Sequence, residues 1–163
     1  MQTIGLPYRG RIHSVKVIPG KRPAGRTRWN GEISMSEGCF DGTVSVLLTR
    51  FIFLHELGHV RERGWFLVLQ VAALAASVLS LGGVAVLVFL GVSVPINIAI
   101  MSISYLPVRW LSEAKADLFA VHEIGVPGYI AASQELSDGM NKGGMVWCAV
   151  LYPPPALVAR CSK

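Results

Sequence analysis

Read for its alternation of apolar and polar positions, the chain divides into three zones and a polar tail. Residues 1 to about 46 are polar and broken by Gly10, Pro19-Gly20, Pro23 and Gly25. Two short strands are predicted there, over 12–18, where Val15 and Val17 are β-branched, and over 31–35. From Val44 to Arg63 the pattern becomes helical: Val46, Leu47, Phe51, Leu54 and Gly58 fall on one face, with no proline between them. From Gly64 to Val108 there is no Asp, Glu, Lys or Arg at all, and Gln70 and Asn97 are the only side-chain amides.

That uncharged run governs the expected fold class. A single helix of this length would be roughly 68 Å long, about twice a bilayer. Two membrane spans are therefore expected, over 65–81 and 84–106, turning at Gly82-Gly83, with the second kinked at Pro95. Trp65, Tyr105 and Trp110 stand where interfacial aromatics belong, and Asn97 is expected to bond across the hairpin. Beyond it, helices are predicted over 112–123 and about 129–137, broken by Gly125, Pro127 and Gly128, and then an irregular proline-rich tail at 153–155.

Composition sharpens this picture. Of 163 residues, 52% are hydrophobic and 15% charged, against about 25% charged in an average soluble domain. The net charge of +5 fits either nucleic acid or an anionic leaflet, and the apolar run selects the lipid bilayer as partner, with no nucleic acid expected. Arg9, Arg11, Lys16, Lys21, Arg22, Arg26 and Arg28 all precede the first acid, Glu32. Residues 1–29 are read as a basic N-terminal arm and 30–163 as one domain containing the hairpin 65–106. Cys39, Cys148 and Cys161 form no CxxC, which leaves neither a disulfide framework nor a cysteine metal site. The N-terminus lacks the apolar core of a signal peptide. Insertion from the cytosol through the internal segment is expected, and Arg61, Arg63, Arg109 and Lys115 at its two ends place the flanking regions on the cytosolic side.

The chemistry is concentrated in His55-Glu56-Leu57-Gly58-His59. Four residues make just over one helical turn, so both imidazoles project from one face and can share a metal ion, while Glu56 can act as general base on a water. A catalytic zinc wants a third protein ligand and an open position. Glu113-Ala114-Lys115-Ala116-Asp117 offers Glu113 as that ligand, and Asp117, one turn on, can accept the free N–H of a ligand imidazole. Two crossings between His59 and Glu113 would return them to the same side, which the shared metal requires. One Zn²⁺ per chain is expected. His122-Glu123 begins a second such motif, but Val126 takes the place of its second histidine, and His13 has no ligand-like neighbours.

In this order of elements the chain resembles the HtpX and CaaX-prenyl-protease (Ste24-like) family of integral-membrane zinc metallopeptidases. Residues 30–38 look like the family's edge strand. Ala116 to Ala120 look like its ligand helix, and Gly125-Val126-Pro127 like the segment after that helix. Tyr152-Pro153-Pro154-Pro155 and Arg160 are loosely similar to its C-terminal His-Pro segment and arginine, with Tyr152 in the histidine's place. The resemblance implies a mainly α, membrane-embedded gluzincin-like fold of minimal size, in which the HExxH and ExxxD helices are joined by the two-span hairpin and preceded by a small N-terminal β-edge. It implies a membrane-bound zinc metalloendopeptidase acting on protein or peptide substrates from the cytosolic face of the membrane. Substrate would add as a strand against Ile33, Ser34 and Met35, and Tyr152 or Arg160 would stabilise the oxyanion. Two rival readings are a soluble HExxH peptidase that cleaves repressors and a non-enzymatic membrane adaptor with a vestigial metal site.

Overall fold

The alternation of Ile4, Leu6 and Tyr8, all half-buried, makes Gln2–Tyr8 the first strand, β1. A two-residue turn, Arg9-Gly10, folds it against β2 (Arg11–Ile18), with Tyr8 opposite Arg11 and Gln2 opposite Val17. The chain crosses over through Pro19 to Ala24 to β3 (Gly25–Thr27), turns through Arg28 to Gly31, and returns as β4 (Ile33–Ser36). β4 runs parallel to β2 and antiparallel to β3, so the sheet order is β1-β2-β4-β3. All four β4 residues are buried.

The computed structural model describes residues 2–62, positions 64, 65, 67, 68, 71, 72, 75, 79 and 83, and residues 94–139 and 155–161. After a 3₁₀ turn at Glu37–Cys39, helix α1 covers Val46–Arg61. Ser45 caps it by accepting the Leu48 N–H at 3.0 Å. Its buried side carries Leu48, Phe51, Ile52, Phe53, Leu54 and Leu57, whereas Val46, which periodicity puts on the apolar face, is 85% exposed in the first turn. Helix α2 covers Val94–Asp138, and its one residue with non-helical dihedrals is Gly125, not Pro95. Helix α3, Pro155–Cys161, opens on the proline expected in an irregular tail; a proline suits a first helical position, where no N–H is needed.

The core lies where α1 is held between the sheet and α2. Val15, Ile33 and Met35 come from the sheet, Phe51 and Leu54 from α1, Ala120, Val121, Tyr129 and Ala132 from α2, and Val158 from α3. Tyr8 and Arg9 tie the β1–β2 hairpin to α2: the Tyr8 hydroxyl donates to Glu123 at 2.8 Å and Arg9 to the same oxygen at 2.6 Å. That occupies Glu123 structurally, and His13 packs against the rings of Tyr8 and Phe53.

Two expectations are corrected here. The fold class is α/β, with a four-stranded sheet in place of a small β-edge on a mainly α, membrane-embedded body. The two-span hairpin and the integral-membrane placement with a cytosol-facing site are overturned together, because no helix among the described residues is long and apolar enough to cross a membrane. Of the expected second span, residues 94 to 106 are described, and they belong to α2. The same helix then continues without interruption into Arg109, Glu113, Lys115 and Asp117. Most of 65–81, and 84–93 with Gly82 of the expected turn, lie outside the described residues, as does the side chain of Asn97.

Candidate metal centre

Two helices build the site. α1 presents His55 and His59 one turn apart, their rings 4.9 Å between centroids and nearly perpendicular. α2 crosses α1 so that Glu113 faces both: its Oε2 lies 3.2 Å from His55 Nε2 and 3.6 Å from His59 Nε2. One ligand atom from each of the three falls within 4.8 Å of the others, and this group could hold a metal ion. The donor set fits one well. Around a tetrahedral zinc with bonds of about 2.0–2.1 Å, neighbouring ligand atoms stand about 3.3 Å apart. Both ligand distances to Glu113 lie near that value.

The electrostatics favour a cation in the same place. Glu56, Glu113 and Asp117 are three buried carboxylates beside two imidazoles. Burial works against a charged His55, but hydrogen bonds to Asp117 and Glu113 outweigh it and hold the ring protonated well above the ordinary 6.5. Burial would likewise raise Glu113, yet its hydrogen bonds to His55 and His59 bring the carboxyl down to about 2. A proton at the centre of this cluster stands where a metal's charge would stand.

Asp117 lies behind His55. The imidazole Nδ1–H donates to Asp117 Oδ1 at 2.7 Å, so Nε2 faces Glu113 and would present its lone pair to a metal that displaced its proton. The other oxygen, Oδ2, accepts from the Tyr129 hydroxyl at 2.9 Å. Glu56, next to His55 in sequence, is held from the sheet side. Thr27 Oγ1 sits 2.7 Å from Glu56 Oε2 and 2.9 Å from the Glu56 carbonyl oxygen, so one hydroxyl holds both the side chain and the backbone of that residue. Next to Ala116 on α2, Lys115 makes an ion pair with Glu62 at 3.6 Å and stands 4.5 Å over the Trp65 ring.

Of the residues singled out in the sequence, His55, Glu56, His59, Glu113 and Asp117 come together. Ile33, Ser34 and Met35 do not form an edge for substrate: β4 is interior, paired on both sides by β2 and β3. The edge strand beside α1 is β3, through Thr27. Arg160 is exposed on α3, and among the described residues no hydrogen bond or ion pair joins it to the cluster. Tyr152 lies outside the described residues. Thr27 and Tyr129 are additions. Thr27 carried no signal in a three-residue strand of Gly, Arg and Thr, while Tyr129, the first large side chain after the Gly125–Gly128 break, stood out only as a bulky group in a helical run.

Comparisons with protein-family models, with curated proteins and with solved structures find no match.

Proposed function

We propose that this chain is a zinc-dependent endopeptidase with one zinc per chain, held by His55, His59 and Glu113. The observation that carries the reading is the convergence of those three donors with a buried carboxylate, Glu56, next in sequence to one of them. Two histidines and one carboxylate with an open position is a donor set that suits catalytic zinc. Bound there, zinc supplies Lewis acidity toward a water and toward the scissile carbonyl.

The chain's own groups do the rest. Asp117 fixes the His55 tautomer and ring plane. Glu56 removes a proton from the attacking water as the water oxygen bonds to the carbonyl carbon. It returns that proton to the amide nitrogen as the C–N bond breaks. Thr27 keeps the Glu56 carboxylate in place between the sheet and the cluster. An extended peptide reaches this point most directly along β3, whose outer side has no strand partner among the described residues, by strand addition. The motif order that resembles the HtpX and CaaX-prenyl-protease family supports peptide hydrolysis over other metal-assisted hydrolyses.

The test is casein cleavage by the purified protein, set against its Glu56→Gln variant. Zinc retained in the variant with cleavage lost assigns Glu56 as the base. Equal cleavage by both proteins rejects the assignment, and zinc without cleavage in the wild type favours a non-enzymatic metal site.

A further inference from the structure

Asp117 and Tyr129, twelve positions apart on α2, are joined by a hydrogen bond across a break in the helix. In a straight helix those positions would be about 18 Å apart along the axis. The contact exists because the helix breaks at Gly125, whose φ of 76° and ψ of 160° belong to a region that glycine alone occupies readily. Pro127 follows, a residue that lacks the N–H a continuous helix would need there. The chain folds back, and Tyr129 arrives 1% exposed beneath Asp117, its ring edge-on to Phe51 at 5.5 Å.

A buried carboxylate with one oxygen engaged by His55 and the other unmet would be costly and free to rotate. The Tyr129 hydroxyl meets the second oxygen and so fixes the carboxylate plane. Ser133, one turn further along, places its hydroxyl beside the same phenol. Burial and the Asp117 carboxylate together push the phenol far above its ordinary value, so it remains a donor throughout the working range.

We infer that Tyr129 is a positioning residue of the metal centre, acting through Asp117 to hold His55 in the tautomer and orientation that present Nε2 to the metal. The inference rests on the metal-centre reading. It extends the site beyond the two motifs to a third segment, and it gives the Gly125 break a purpose: it returns the chain to Asp117.

The experiment is a cobalt(II) titration of the metal-free, full-length protein, read by visible absorption. Tyr129→Phe keeps the ring against Phe51 and removes only the hydroxyl. The expected result is a loss of affinity of about ten-fold or more, with a melting curve that still shows a cooperative fold. In an Asp117→Ala background the same substitution is expected to cost nothing further, since the hydroxyl then has no carboxylate to hold. Ser133→Ala, which keeps the phenol, should weaken binding in the same direction by a smaller factor, and it carries the test if Tyr129→Phe does not fold. Wild-type affinity in both Tyr129→Phe and Ser133→Ala overturns the inference alone. So does an equal loss with and without Asp117, which would mean that Tyr129 acts through packing. A wild-type protein that takes up no cobalt overturns the metal-centre reading, and the inference with it.

Discussion

Gly58 of α1 rests directly on Ala116 of α2: a Cβ at Gly58 would lie 2.9 Å from the Ala116 Cα and 3.2 Å from its carbonyl oxygen. Gly58 sits between His55 and His59 in sequence, and Ala116 between Glu113 and Asp117. This close approach of the two helices is therefore also the point at which the candidate ligands from each are brought level. Backbone to backbone, there is no flexible side chain to give way.

Gly58→Ala is accordingly expected to force the helices apart. Overpacking of this kind costs about 1–3 kcal/mol. A thermal melt should show the loss, and a cobalt titration should show weaker binding, because Glu113 moves away from both histidines. A variant as stable and as tightly binding as wild type would mean that the approach is looser than the structure has it.

Thr27→Val is the corresponding test of the base. It removes the hydroxyl shared by the two Glu56 oxygens while keeping the shape of the side chain. A hydrogen bond to a charged group is worth about 1.5–3 kcal/mol, so turnover should fall about ten- to a hundred-fold. Metal content should be unchanged, and Thr27→Ser should recover most of the rate. Loss of metal along with activity would instead make Thr27 a structural support of α1.

The opposed shifts of His55 and Glu113 give the metal-free protein a defined pH response. His55 is raised above 6.5, so its contribution to stability is full below 6.5 and is lost as pH rises through its higher folded value. Glu113 is lowered from 4.5 to about 2, so its contribution is full above 4.5 and is lost as pH falls through about 2. Between 4.5 and 6.5 the cluster contributes fully from both sides. Melting of the metal-free chain across pH checks this. A metal must also displace the His55 proton, so cobalt affinity should keep rising with pH above 6.5; affinity already flat from 6.5 upward would contradict the raised His55.

The sequence disclosed α1 and the candidate metal ligands because both are local. Helical periodicity and the His55–His59 spacing lie within one segment, and Glu113 and Asp117 share a face one turn apart. The sheet was only half legible. Val15, Val17 and Ile33 marked β2 and β4, and the alternation of Ile4, Leu6 and Tyr8 was present for β1 but is interleaved with Gly5 and Pro7, residue types that argue against a strand. What could not be read was the order. The insertion of β4 between β2 and β3 is a pairing between distant segments, and it moves the edge from Ile33–Met35 to Gly25–Thr27. The long uncharged run was translated into membrane spans from its length, its Gly82-Gly83 pair and its flanking aromatics. From Val94 onward that run belongs to the helix that carries Glu113. Tyr129 was hidden for a similar reason, since its partner twelve positions back is reached only through the break at Gly125.

The central claim is that His55, His59 and Glu113 hold a metal, and metal content measures it most directly. Purified wild-type protein should carry about one zinc per chain, and Glu113→Ala, with one ligand removed, should carry much less while still folding. A wild-type protein without zinc, or a Glu113→Ala variant that retains it in full, would contradict the account.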